Sequence, residues 1–492
     1  MSADLLALAP LMIVVGVAMA VLLVDIARPD ADRLIAPLAV VGLVAAIAVT
    51  VLVTAQGPHE IFGGAYVRDD LTGFLDVLFM SVALLTVLFA PDYLRPRGLP
   101  MTEFAATLLF AITGAMLLAG ARDLLVLFLG LELLVLPGYL LAGYAKRDNY
   151  STEGAIKYFL LGSFSSAIFL FGLALVWGYT GTTAIAGTAA VLQEATTGGG
   201  TLSPGLVMGL ALLTTGVAFK IAAVPFHYWT PDAYQGSPTP VTGYLSVGPK
   251  VAAFALILRL FVEALAPLKF DWAPVVIVLA ALTMTLGNLV ALTQDNIKRM
   301  LAYSSIAHTG YILLGLAAYA AAPVGSAAEQ AGLEGLLYYS LAYAFMNLGA
   351  FAVVTLLQRR PGVTSQISSF SGLGRRALGP ALLMTLFMLS LTGIPPFAGF
   401  FAKFYVIQAA IQAGGVVTVL AVVAMLNAAA AAFYYLRVVV FMFMRDAPPD
   451  APPVVAGSMM RLGLGLTAIG TIFLGAIPPV IDMTQRAAAT LL

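Results

Sequence analysis

The sequence predicts an all-α polytopic membrane protein of about fourteen transmembrane helices. Three observations lead there. Of the 492 residues, 61% are hydrophobic and 10% are charged, a balance outside the range of soluble globular domains. The apolar residues fall in long continuous runs rather than the alternating ten-residue segments of a membrane barrel. The cations segregate into alternate connections between those runs.

The runs place spans at 5–24, 35–55, 71–90, 104–121, 123–145, 154–178, 205–228, 239–264, 273–294, 299–320, 332–357, 377–413, 415–444 and 459–480. The first is read as a helix and not a signal peptide, because it has no basic n-region and Asp4 precedes the apolar stretch. With the N-terminus outside, fourteen Lys and Arg fall in cytoplasmic connections, among them Arg28, Arg95, Lys146, Lys298, Arg359, Arg375 and Arg445. Four fall outside: Arg68, Arg122, Lys269 and Arg486. Removing or adding one middle span would scramble that separation.

Most loops are short. Residues 179–204 are Gly/Thr/Ala-rich and read as an exposed outer connection. Residues 358–378 form a basic, Ser/Gly-rich cytoplasmic loop, and DAPPDAPP (446–453) a stiff linker. Span twelve is too long for one straight crossing. It is interrupted at LTGIPPFAGFF, as span seven is at AAVPFHYW. Both breaks carry a Pro-Phe step and lie five spans apart. An odd offset reverses the chain direction, so spans 4–8 and 9–13 read as two inverted five-helix repeats. The resulting organisation is an N-terminal three-helix segment (1–103), a first repeat (104–264), a second inverted repeat (273–444), and a linker with a last helix (445–492).

Six cations lie within spans. Arg259 and Arg437 are near helix ends, where snorkelling to a headgroup suffices. Lys157 follows Glu153 at i,i+4 and reads either as a simple surface pair or as part of the site. Lys220, Lys250 and Lys403 have no such excuse, since an ammonium at mid-membrane costs about 2.5–3.5 kcal/mol on insertion scales. Each sits near a proline. Pro249 releases the carbonyl of Leu245, and Pro395 and Pro396 release those of Leu391 and Thr392. Freed carbonyls beside a buried ammonium can hold a water chain.

Glu132 is the one acid of span five and is the candidate partner of Lys220. If the two approached or separated, the lysine would bind or release a proton, which an arginine cannot do. The alternative is a static ion pair that fixes helix packing. His308, flanked by Tyr303, Ser304, Ser305 and Thr309, is either a hydrated relay between lysines or a core histidine. His227 follows the first break and is placed to pass protons towards the cytoplasm. Asp76 stands alone in span three without an assigned role, and His59 reads as solvated.

Zero cysteines exclude disulfides, thiolate-held iron–sulfur clusters and catalytic thiols. Zero net charge argues against a nucleic-acid partner. Three scattered histidines do not suit a bis-histidine haem.

PDAYQGSPTPVTGYLSVGPK (231–250), KRMLAYSSIAHTGYILLG (298–315) and LTGIPPFAGFFAKFYV (391–406) resemble the antiporter-like membrane subunits of respiratory complex I, the proton-pumping NADH:quinone oxidoreductase. The resemblance covers about 104–445. PTPVT, a lysine in span twelve and an end at fourteen spans are similar to the N branch of that family. The resemblance implies that Glu132 and Lys220 form the paired entry of an input half-channel. It implies that Lys250 is the central lysine, Lys403 the terminal lysine of the output half-channel, and His308 part of the axis between them. It implies a multi-pass protein of the bacterial inner membrane, partnered by a neighbouring antiporter-like subunit, small membrane subunits and the bilayer. No cofactor is expected in this chain; NAD, FMN, iron–sulfur clusters and quinone belong to partner subunits. Other readings stay open: a subunit of a multi-subunit Na⁺/H⁺ antiporter, an M-like homologue, an arm of an energy-converting hydrogenase, or a scaffold whose charges only dock helices.

Overall fold

The computed structural model describes residues 3–28, 32–197, 202–360, 362–449, 451–475 and 478–492. Almost everything is helical. Among the described residues, eleven helices are long and apolar enough to cross a membrane, and Pro204–Lys220, Leu378–Thr392 and Ser458–Phe473 are shorter apolar helices.

In chain order, α1 (Ala3–Ala27) and α2 (Asp32–Thr54) lead to a small hairpin, β1 (His59–Ile61) and β2 (Tyr66–Arg68). Then come α3 (Asp70–Leu94), α4 (Met101–Ala119), α5 (Leu124–Ala142) and α6 (Asn149–Thr180). Acids just outside the spans start α3, α5 and α6. Asp69, Asp123 and Asp148 accept the backbone N–H of Thr72, Leu125 and Tyr150 at 2.7, 2.8 and 2.9 Å, covering donors that a helix start leaves free.

The connection after α6 is not an open loop as expected. It holds α7 (Ile185–Thr197), whose Ile185, Thr188 and Leu192 are buried. That spacing of three and four is an amphipathic stripe, hidden in the sequence by its small residues.

The predicted break in span seven is real: α8 (Pro204–Lys220) stops and α9 (Trp229–Gly236) resumes after eight residues. Next, α10 (Thr239–Ile257) runs into a π-helical turn, Leu258–Ala264. After it come α11 (Lys269–Ala291), α12 (Ile297–Ala321), α13 (Ala327–Leu357) and the short α14 (Leu373–Arg376). Span twelve is likewise two helices, α15 (Leu378–Thr392) and α16 (Ala398–Ala413). Gly393 makes the turn between them at φ +92, a conformation open to glycine. The chain ends with α17 (Gly415–Met444), α18 (Ser458–Phe473) and α19 (Pro478–Ala489). The last expected span, 459–480, therefore divides into α18 and a separate helix.

Burial sorts the helices. α10 and α12 are enclosed along almost their whole length, and α13 nearly so, while α1, α2 and α17 are largely uncovered. Leu129, Leu136 and Leu140 on α5 and Val419, Val422 and Leu426 on α17 are exposed apolar residues. An apolar outer surface around a core rich in polar side chains is the arrangement a bilayer demands.

Several charges sit elsewhere than expected. Arg259 does not snorkel; it is fully buried and donates to both carboxylate oxygens of Asp69 at 3.0 and 2.9 Å and to Glu263 at 2.6 Å. The π-helical turn carries Glu263 beside it. Arg437 closes the C-terminal end of α11, donating to the carbonyls of Leu292 and Gln294. Arg68 is buried and pairs with Asp76 at 2.9 Å, which gives that acid its partner. Lys269 pairs with Glu329, both buried. His59 is 38% exposed and bonds to Asp4 at 2.8 Å.

Candidate functional site

Lys220 is the last residue of α8 and is 6% exposed. Its Nζ donates to Ser166 Oγ at 2.8 Å and lies 3.5 Å from the Gly162 carbonyl, both on α6. The unwound segment beyond it is held by side chains from three directions. Trp229 Nε1 donates to the Phe219 carbonyl at 3.2 Å, and Thr309 Oγ1 to the Ile221 carbonyl at 3.0 Å. The Val224 N–H donates to Thr283 Oγ1 at 2.9 Å. Helix-end groups that would be costly in a bilayer are thus satisfied by α9, α11 and α12.

Glu132 does not make the expected contact with Lys220. Among the described residues it forms no ion pair within 4.0 Å, and its Oε1 is enclosed without a hydrogen bond. α6 lies against both α5 and α8, and its Ser166 hydroxyl and Gly162 carbonyl are the groups that meet the ammonium. His227 is 6% exposed, lies in the break, and stacks on the ring of Tyr228 at 4.8 Å. Its Nδ1 has no hydrogen-bond partner.

Lys250 is 3% exposed and donates to Ser305 Oγ at 2.6 Å. The Leu245 carbonyl, released by Pro249, accepts the Tyr234 hydroxyl at 3.0 Å. The Ser305 hydroxyl also lies 3.4 Å from the Ser246 carbonyl, and Asn347 Nδ2 donates to Ser246 Oγ at 2.6 Å.

His308 is 1% exposed, and both of its nitrogens are engaged. Nδ1 is 2.7 Å from the Tyr339 hydroxyl and Nε2 is 3.1 Å from the Tyr435 hydroxyl. Tyr435 also bonds Ser304 Oγ at 2.5 Å. Ser304 and Ser305 are successive residues of α12, and among the described residues no hydrogen bond joins their hydroxyls. The His308 ring lies 4.9 Å from that of Tyr343. The Tyr343 hydroxyl and Asn347 Oδ1 are enclosed polar atoms without a protein partner, the kind of place where a buried water is held.

Lys403 is 6% exposed, and its Nζ donates to the carbonyls of Leu391 and Thr392 at 3.0 and 2.7 Å. These are the two acceptors that Pro395 and Pro396 release. The ammonium also lies 5.0 Å from the centre of the Tyr311 ring. The Tyr311 hydroxyl accepts from Asn288 Nδ2 at 3.0 Å, and Asn288 Oδ1 accepts from Tyr434 at 2.9 Å. The structure therefore brings Lys250, His308 and Lys403 to one polar layer around α12. Lys220 lies at the neighbouring break, with Glu132 making no direct ion pair with it among the described residues.

Sequence reasoning missed the hydroxyl groups from other helices: Ser166, Tyr234, Tyr339, Tyr343 and Tyr435. The signal was available in YYSLAYAFMN (338–347) and FYYL (433–436), since a tyrosine in mid-span needs a partner for its hydroxyl. Lys298, read as a loop cation, is 3% exposed and donates to the Gln235 and Ser237 carbonyls at 2.9 and 2.5 Å. Lys157 pairs with both Glu153 and Asp232 at 2.7 Å, and its side chain is 42% exposed. It ties α6 to α9 outside the buried layer. Among the described residues, no group of three or more His, Asp or Glu side chains is placed to hold a metal.

Comparison with known proteins fits this layer into a family. The family described as "NADH:quinone oxidoreductase/Mrp antiporter, TM" matches residues 121–427. The chain belongs to this family. The NADH:quinone oxidoreductase/Mrp antiporter region includes Glu132, Lys220, His227, Lys250, His308 and Lys403, and leaves α1–α4 and the C-terminal helices outside. The chain is 41% identical over 477 residues to NADH-quinone oxidoreductase subunit N of Trichlorobacter lovleyi, covering 96% of this chain and 94% of the relative. It is 44% identical over 481 residues to NADH-quinone oxidoreductase subunit N 2 of Roseiflexus castenholzii, covering 97% and 95%. A chain of respiratory complex I from Thermus thermophilus with bound aureothin superposes with a TM-score of 0.78 at 32% identity, covering 96% and 98%.

Proposed function

We propose that this chain is the N-type, proton-translocating membrane-arm subunit of an NADH:quinone oxidoreductase in a bacterial membrane. The relatives at about 40% identity over nearly their whole length support this reading over that of an Mrp-type antiporter subunit. In this proposal the chain crosses the membrane fourteen times from an outer N-terminus, as two inverted repeats at 104–264 and 273–444. The paired breaks at α8/α9 and α15/α16 support that arrangement. NAD, FMN, iron–sulfur clusters and quinone reside in partner subunits, which include a neighbouring antiporter-like subunit and small membrane subunits.

One observation carries the mechanism: among the described residues Lys220, Lys250 and Lys403 have no carboxylate within ion-pair distance, the first two donating to serine hydroxyls and the third to freed carbonyls. Lysine can release its proton when buried, and hydroxyl and imidazole groups pass protons along hydrogen bonds. In the proposed route Lys220 exchanges a proton with the cytoplasmic side near His227. Lys250 hands its proton to Ser305 and, across the enclosed polar atoms of Tyr343 and Asn347, to His308, whose ring Tyr339 and Tyr435 hold, and Lys403 releases it on the far side. Glu132 acts at a distance as the charge whose state biases Lys220. α5 exposes Leu129, Leu136 and Leu140, so a neighbouring subunit can lie against that helix.

The test is proton pumping against NADH oxidation in the reconstituted complex carrying Lys220→Ala or Lys250→Ala. Pumping per NADH falls in both variants. Full pumping in both would remove the route.

A further inference from the structure

The basic loop that follows α13 contributes nothing to the layer around α12, yet it builds a pocket. A cavity of about 200 Å³ opens between the end of α13, α14 and the linker before α18. Arg359, Arg360 and Arg376 line it with Ser369, and among the described residues no acid does. Among the described residues none of these three arginines has a carboxylate within 4.0 Å, whereas the adjacent Arg375 pairs with Asp446 at 2.9 Å. The protein partners of Arg359 and Arg376 are backbone carbonyls. Arg359 donates to Val455 at 2.5 Å, and Arg376 only at long range to Pro452 and Ser371, 3.4 and 3.5 Å. Arg376 Nε is enclosed and donates to nothing. Burial pulls the Arg376 pKa below its ordinary value. Guanidinium groups so placed are left with donors for a planar or tetrahedral oxyanion.

We propose that this pocket binds a phosphate group, and that the phosphate is the headgroup of a membrane phospholipid. The surroundings favour the lipid source. Arg376 ends α14, and two residues later α15 begins an exposed apolar face with Leu378 and Leu382, 56% and 54% exposed. A phosphate held by the arginines leaves its acyl chains running along that face. The Ser369 hydroxyl, 2.9 Å from Thr364 Oγ1, stands at the same pocket as a further donor. Basic pockets at the ends of membrane helices are suited to anionic headgroups.

The experiment uses the detergent-purified complex and native mass spectrometry. The triple variant Arg359→Gln/Arg360→Gln/Arg376→Gln retains one phospholipid fewer than the parent. Arg360 is exposed and its side chain makes no hydrogen bond among the described residues, so Arg360→Gln leaves the fold intact. In nanodiscs of phosphatidylcholine with graded phosphatidylglycerol, it needs about fivefold more phosphatidylglycerol for the same occupancy. An unchanged lipid count and occupancy in both variants overturns the proposal. So does a pocket that inorganic phosphate fills while no lipid is retained.

Discussion

The ammonium of Lys403 donates to the Leu391 carbonyl at 3.0 Å, across the gap where α15 ends. The Thr392 carbonyl accepts from the same group at 2.7 Å. Both acceptors lack a helical donor because Pro395 and Pro396 have no N–H. The cation also faces the negative end of a helix dipole. Lys403 therefore has a structural and a chemical part to play, and two substitutions separate them. Lys403→Ala leaves two buried carbonyls unsatisfied and lowers stability by about 1–3 kcal/mol, read from the melting of the purified complex. Lys403→Arg keeps a donor and a charge but cannot release a proton. It assembles and melts close to the parent, and its proton pumping falls.

Tyr435 supplies the one hydroxyl between Ser304 and His308, at 2.5 and 3.1 Å. Tyr435→Phe keeps the ring and removes the link. Its stability cost is about 1 kcal/mol. Pumping per NADH drops while assembly is retained. A parent-like pumping ratio would show that His308 works without its Tyr435 bond.

Tyr234 covers the carbonyl that Pro249 exposes. Tyr234→Phe leaves the Leu245 oxygen buried and bare, 3.0 Å from a missing donor. A loss of about 1–3 kcal/mol is expected in thermal or denaturant unfolding. Replacing Pro249 by Ala in the same chain restores a backbone donor and recovers part of the loss.

Arg259 joins α10 to the N-terminal helices through Asp69, with Glu263 and Arg122 beside it; Arg122 lies 3.3 Å from Glu263. Removing one partner of a buried ion pair costs about 3–5 kcal/mol. Arg259→Met weakens the complex by that order, and adding Asp69→Asn recovers part of it. Burial raises the Asp69 pKa, but the Arg259 guanidinium and the Thr72 hydrogen bonds bring it below the ordinary carboxylate value. The depressed carboxylate stabilises fully above about pH 4, the unfolded value, and the contribution is lost as pH falls through the folded value. Acid unfolding of the Asp69→Asn variant is correspondingly less steep.

How much of this was legible in the sequence varies with the range of the interaction. The breaks at 221–228 and 393–397 were readable because proline and glycine act locally. The same local rule named the Leu245, Leu391 and Thr392 carbonyls before their partners were known. It could not say that Tyr234 and Lys403 would be those partners, since that depends on how distant helices meet. The same limit applies to Lys220: nothing within spans five and seven reveals that its ammonium donates to Ser166 and lies near the Gly162 carbonyl of α6. Sequence alone reads Arg68 and Lys269 as outer-loop cations and Arg259 as a snorkelling one, because hydropathy sees depth and the acids that hold them are not evident from it. The buried face of α7 stayed hidden behind alanine and threonine.

The central claim is that Lys250 and Lys403 are joined through His308. Its most direct test is the ratio of protons pumped to NADH oxidised in proteoliposomes containing the His308→Phe complex. Phenylalanine keeps a ring in the cavity beside Tyr343 and removes both nitrogens that meet Tyr339 and Tyr435. The expected ratio lies below the parent's in a fully assembled complex. A ratio equal to the parent's would contradict it.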